Sequence, residues 1–445
     1  MTASLLYIEF AFFILLCVVA LYNLRVKPAS GLTWRLQPSV LFIIVFGLYT
    51  SAMPLSRLMG QSELSDNDLE FMLAHVLAAF GLVAGSYFGG HQTRLYTKIE
   101  IHSRREVKIM LAVLTVAVGV LFTWRTLYFV GFDPRNLLER YRFEQEFLES
   151  NLGVSDKLLV HMVASVCTFG LIFWDERKDR IYRAIIYATL ALVAVVLLLR
   201  GNRNPFILLT FPALGVVMQN RPLMLKQGFV LFLVGYAFFQ TIAIVRNVGV
   251  INREDVDFHL EYYDPLRSEL GTSYKVWTAA QTTPFFNERR WGATIFADSI
   301  VNQVPATFWP DRPMTAAAKL SFYYYERAGE EVFGLGYSPV LEAYLNFGIY
   351  GLFPWFTLFM LALVRFERFL EGRGIFGLCA WAALLPIVIN IQRIDAAVAL
   401  KLYTSFILVF LLLQFFFCAL AGSRHVRRAV LLSGTARKAV FRSKF

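Results

Sequence analysis

Apolar residues in this chain come in long runs separated by short polar connections, not as narrow stripes. Runs close to the 17–25 residues that carry a helix across the hydrocarbon core occur at 4–23, 37–53, 69–89, 108–130, 158–174, 181–199, 203–218, 228–247, 338–364, 374–391 and 400–421. This pattern predicts an all-α polytopic integral membrane protein with about eleven transmembrane helices. Eight spans fall within 1–247 and three within 338–421, with a large helical loop at 248–337 and a basic tail at 422–445. Inside the loop the periodicity predicts short amphipathic helices from Phe258 through Trp277 and from Thr315 to Glu326, with Pro284, Pro305, Pro310 and Pro313 as breakers. The 131–157 connection, around Leu137 to Phe143, reads the same way. No internal repeat is visible, so the transporter architectures built on one lose support.

Composition agrees with the pattern. The chain is 57% hydrophobic and 17% charged, whereas soluble domains average about 45–50% apolar and about 25% charged. A water-soluble enzyme and a disordered chain are both excluded. Cys17, Cys167, Cys379 and Cys418 all lie in apolar runs, with neither a disulfide framework nor a metal-ligand spacing. No Lys or Arg precedes the first apolar run and no small-residue cleavage site follows it, so it reads as a retained span.

The formal charge of +11 would suggest nucleic acid in a soluble protein. Here its distribution gives topology instead. Alternate connections and the tail hold 24 Lys and Arg against seven Asp and Glu, leaving the rest of the chain net negative. The positive-inside rule then places those segments in the cytoplasm, the N-terminus and the long loop outside and the C-terminus inside. No nucleic-acid partner is expected.

Against that rule stand a few Arg at the outer ends of spans: Arg200 and Arg203 in the turn Gly201-Asn202-Arg203-Asn204-Pro205, Arg246 after Val245, and Arg393 after Gln392. Arg57, Arg125, Arg135, Arg140 and Arg142 lie on the same side. Each either snorkels to head groups, pairs with a carboxylate, or faces an anionic ligand. Guanidinium groups fork onto phosphate oxygens and keep their charge, so a cluster of them suits a lipid-linked phosphate or diphosphate.

The loop run Pro305-Ala306-Thr307-Phe308-Trp309-Pro310-Asp311-Arg312-Pro313 is stiffened by its prolines and would present Arg312 or Trp309 to a ligand, with an interfacial anchor as the alternative for Trp309. In Glu342-Ala343-Tyr344-Leu345-Asn346, Glu342 and Asn346 share a helix face and Tyr344 lies to the side. Glu342 is either an ion-pair partner that orients Arg or a general base. His259 and Asp298 are further possible bases. No metal-ligand cluster is apparent.

In combination, Gly201-Asn202-Arg203, Phe308 to Pro313, Gly336-Tyr337-Ser338-Pro339 with Glu342 to Gly348, and Arg393 resemble the Wzy-type O-antigen and enterobacterial common antigen polymerases. The residue-level likeness covers about 200–395. It departs from the common antigen branch at Glu342 and Tyr344. The resemblance implies a GT-C type glycosyltransferase of the bacterial inner membrane that needs no metal and no cofactor. At the periplasmic face it would move a growing glycan from undecaprenyl diphosphate to the non-reducing end of a fresh lipid-linked oligosaccharide unit. In that scheme Arg203, Arg312 and Glu342 are catalytic, and Arg142, Arg200, Arg246, Arg393, Trp309, Tyr344 and Asn346 hold substrate. Partners would be that lipid-linked oligosaccharide, membrane lipid and a chain-length regulator protein. An O-antigen ligase, with a lipid A core acceptor, and a flippase or other transporter are the competing readings.

Overall fold

The computed structural model describes residues 2–24, 33–34, 36–60, 65–89, 105–129, 132, 151–173, 179–199, 203–219, 223–224, 264–266, 268–284, 289–304, 308–328, 336–371 and 373–421, with isolated positions between 226 and 237. The proposed site residues Arg142, Arg200 and Arg246, the possible base His259 and the basic tail lie outside these, as does most of the expected 228–247 span.

The elements are α1 (Thr2–Asn23), α2 (Pro38–Leu58), α3 (Asp66–Gly89), α4 (Arg105–Phe129), α5 (Asn151–Phe173), α6 (Arg180–Leu199) and α7 (Arg203–Met218). They continue with α8 (Thr272–Gln281), α9 (Ala297–Val301), α10 (Ala316–Ala328), α11 (Pro339–Leu370), α12 (Gly374–Asn390) and α13 (Ala396–Ala421). Among the described residues the only strands are a two-residue antiparallel pair, Thr33–Trp34 with Leu223–Met224. Seven helices, α1 to α4, α6, α11 and α13, are long and apolar enough to cross a membrane, and α5, α7 and α12 supply shorter apolar stretches. The chain is a helical polytopic membrane protein. In the loop, α10 falls where 315–326 is predicted, and α8 overlaps the end of the 258–277 prediction, whose first residues, 258–263, lie outside the described ones.

The helices form two packed groups. One core joins α1, α2, α3, α8 and α11; the other joins α4, α5, α6, α7 and α13, and α12 contributes to both. Between α3 and α11 the contact is made close by a row of small residues, as is common where lipid supplies no hydrophobic drive to associate. A Cβ on Gly81 would lie 2.5 Å from Phe353 O, and one on Gly85 2.5 Å from Thr357 O and 2.7 Å from the Met360 Cβ.

One expectation needs correction. Hydropathy reads 338–364 as a continuous span, but α11 breaks at Gly348, whose φ of 71° and ψ of −175° interrupt the helix. Glycine meets no steric penalty in that conformation. Residues 349–370 alone are about 33 Å long at 1.5 Å per residue, enough to cross the hydrocarbon. Residues 339–347 are thereby released as a separate half-helix at the end of the bundle that carries α8 to α10, here the loop face.

Polar ties fix both faces. At the opposite face Glu367 accepts hydrogen bonds from the Ser39 backbone N–H (2.5 Å) and hydroxyl (2.9 Å), and Lys108 pairs with Asp179 at 2.6 Å. At the loop face the buried Asp68 accepts from Arg57 Nε (2.9 Å) and Nη2 (3.0 Å), from the Ser65 N–H and from the Tyr274 hydroxyl. Gln281 donates to Glu70 at 2.9 Å. These bonds seat α8 on α2 and α3. Arg57, one of the basic residues that break the charge rule, is thus a structural ion pair.

Candidate functional site

A cleft of about 510 Å³ opens at the loop face. It is lined by Asn204 of α7, by Ala317, Ala318, Ser321 and Phe322 of α10 with the preceding Met314, by Gly336, and by Arg393, Ile394, Asp395 and Val398 at the turn into α13. Three helices begin here, at Arg203, Ala316 and Ala396. At the starts of α10 and α13, Asp395, Glu342 and Thr315 already take first-turn N–H groups, so the positive charge of the cleft is that of Arg393.

The 391–395 turn supplies the charged groups. Arg393 Nη1 pairs with Glu269 Oε2 at 2.7 Å and reaches Asn204 Oδ1 at 3.4 Å. Its Nε is buried and has no hydrogen-bond partner among the described residues. Glu269 and Asn204 together hold the guanidinium at the start of α7. Arg203 itself opens α7 as its first residue. Asp395 is fully buried. Its Oδ1 accepts the Val398 N–H at 2.8 Å and its Oδ2 the Ala317 N–H at 3.1 Å, so one carboxylate joins the starts of α13 and α10.

Behind the cleft the half-helix 339–347 presents Glu342 and Asn346 together, as their spacing predicts. Glu342 Oε1 accepts from the Thr294 hydroxyl (3.1 Å) and Oε2 from the Ala396 N–H (2.9 Å). Asn346 Nδ2 donates to Thr294 Oγ1 (2.6 Å) and to the Glu342 carbonyl (2.7 Å). Both residues are buried and neither lines the cleft. The last carbonyls of the half-helix are also occupied. Tyr344 O accepts from Arg289 Nη1, Leu345 O from the Arg290 N–H and Asn346 O from the Trp291 N–H. Tyr344 turns away from the cleft, donating to Glu70 at 3.0 Å and packing edge-on against Trp277, with Arg289 4.9 Å above its ring.

Nearby, burial raises the Asp298 carboxyl, opposed by Lys319 and Arg290 and reinforced by Asp395. The Tyr337 hydroxyl is pushed well up by complete burial and then by Glu342 and Asp395. It has no hydrogen-bond partner among the described residues.

Two predicted residues are placed elsewhere. Arg312 Nη1 donates to the carbonyls of Val304 (2.7 Å) and Asn302 (3.4 Å), bracing its own loop, and Trp309 is exposed on that loop. Neither lines the cleft. Conversely, Asp395 and Glu269 escape a reading of the sequence for catalytic residues. An Asp just before an apolar run does mark a helix start, which is how Asp395 is used. Nothing in the sequence pairs Glu269 with Arg393. Among the described residues no group of three or more His, Cys, Asp or Glu could hold a metal ion. No protein-family model, curated protein or solved structure matches the chain.

Proposed function

We propose that the chain is a polysaccharide polymerase of the bacterial inner membrane, a GT-C type glycosyltransferase that joins undecaprenyl-diphosphate-linked oligosaccharide units at the periplasmic face. The observation that carries this reading is the cleft at the loop face, lined by Arg393 and by Asn204, the second residue of α7, between the starts of three helices. The Arg393 guanidinium suits a diphosphate, and the membrane helices around the cleft supply a route for its lipid tail. Of the Wzy-like residues, Arg393 lines the cleft and Arg203 is the first residue of the adjoining helix α7.

In the reaction an acceptor hydroxyl attacks the anomeric carbon, the carbon–oxygen bond to the diphosphate breaks, and undecaprenyl diphosphate leaves with the electron pair. Arg393 and Arg203 stabilise the charge that grows on that leaving group, an interaction strongest in the transition state. Asp395, the carboxylate that lines the cleft, takes the hydroxyl proton on a lone pair that its backbone hydrogen bonds leave unused. Glu342, tied to Thr294 and Ala396, positions the start of α13 that holds Asp395.

The broken α11 invites a transporter reading, because discontinuous helices often expose carbonyls for ions. Here the carbonyls at the break are already bonded to Arg289, Arg290 and Trp291, which favours the enzyme. The test is reconstitution into liposomes with lipid-linked oligosaccharide units as the sole substrate. A ladder of glycan lengths supports polymerisation. Dependence on added lipid A core reassigns the protein as a ligase, and translocation without bond formation overturns the enzymatic reading.

A further inference from the structure

The segment 291–304, which joins the cap of the half-helix to the rest of the loop, is inverted relative to a water-facing surface. Its exposed residues are Trp291, Ala293, Phe296, Ala297 and Ile300, all apolar. Its buried ones are Thr294, Ser299 and Asn302 beside Gly292 and the single large apolar side chain Ile295, with Asp298 half-buried toward Lys319, Arg290 and Asp395. Among the exposed positions, Ala293, Phe296, Ala297 and Ile300 recur at three- and four-residue spacing, a helical face. A loop in water places those two sets the other way round.

Its depth is marked on two helices. The Phe296 ring packs edge-on against Trp355 at 6.1 Å, and Trp355 lies about 10 Å along the spanning part of α11 from the break at Gly348. On the other side Gln303 Oε1 accepts from the Thr404 hydroxyl at 2.7 Å, and Thr404 lies about 12 Å along α13 from its first residue. Eight of its backbone donors are bonded locally. The N–H groups of Ala293, Ile295, Phe296, Asp298, Ile300, Asn302, Gln303 and Val304 all bond to carbonyls between Arg290 and Val301, as a non-aqueous setting demands. We propose that residues 291–304 form a membrane-immersed shoulder whose Trp291, Phe296 and Ile300 face contacts the acyl chains of the leaflet at the loop face. The loop is then anchored in lipid beside α11 and α13, independently of what the cleft binds.

The experiment uses the full chain in liposomes, with the four native cysteines replaced by alanine and a nitroxide attached at Ile300→Cys or, separately, at Ala297→Cys. Asp311→Cys, on the exposed part of the same loop, is the aqueous reference. Collisions with oxygen, which concentrates in lipid, should exceed those with a water-soluble nickel chelate several-fold at 300 and 297, with the ratio reversed at 311. Chelate access at 300 and 297 equal to that at 311 overturns the proposal, because the face is then in water. Protection from both reagents overturns it as well, because protein then covers the face.

Discussion

Replacing Glu342 separates a structural tie from a catalytic base. Its two oxygens hold the Thr294 hydroxyl and the Ala396 N–H, so one carboxylate links the 291–304 segment, the half-helix and the start of α13. Leaving a buried donor without a partner costs about 1–3 kcal/mol, so Glu342→Ala, which strands both donors, should cost about 2–6 kcal/mol. Glu342→Gln keeps a carbonyl for Ala396 but adds an amide donor to Thr294 Oγ1, which already accepts from Asn346. Its cost should be about 1–3 kcal/mol, one such bond. Reversible unfolding in mixed detergent micelles measures both, and the liposome ladder assay runs alongside. A positioning role requires the losses in the order Ala greater than Gln greater than none, with Gln retaining bond formation. If Glu342→Gln has wild-type stability and makes no product, Glu342 is the base and the role given to Asp395 fails. If Glu342→Ala unfolds like the wild type, the tie itself is refuted.

Arg203→Ala should abolish long glycan products while the protein still inserts, and a near-normal ladder sinks its assignment. Arg393→Ala should do the same. Because Glu269 aims that guanidinium, Glu269→Gln should weaken undecaprenyl diphosphate binding, and its effect should vanish in the Arg393→Ala background, as a double-mutant cycle in a binding titration would show. Gly85→Ala should destabilise the α3–α11 contact by about 1–3 kcal/mol, the usual cost of overpacking, whereas Gly47→Ala, with nothing within 4 Å of the added carbon, should not. Burial raises the Asp298 carboxyl above its ordinary 3.8. As pH climbs just past that value the unfolded chain therefore releases its proton first, and stability falls. Asp298→Asn should remove that acidic slope from the melting temperature measured against pH.

Much of the architecture is a property of the sequence alone. A run of apolar residues without charge can satisfy its backbone and shed water in one way within a bilayer, as a helix, so the spans and the helix at 315–326 follow from composition and period. The same holds for Glu342 and Asn346, whose shared face is set by helical spacing. Tertiary structure decided the rest. Gly348 breaks α11 because 349–370 already spans, and because Arg289, Arg290 and Trp291 from a distant segment cap the carbonyls that the break exposes. Arg393 finds Glu269, and Asp395 joins the starts of two helices, through pairings that no local pattern contains. The 291–304 segment shows the limit most directly. Its apolar stripe reads identically whether it meets a protein core or lipid, since both are apolar surroundings, and only the packed fold shows the polar face turned inward and the apolar face turned out.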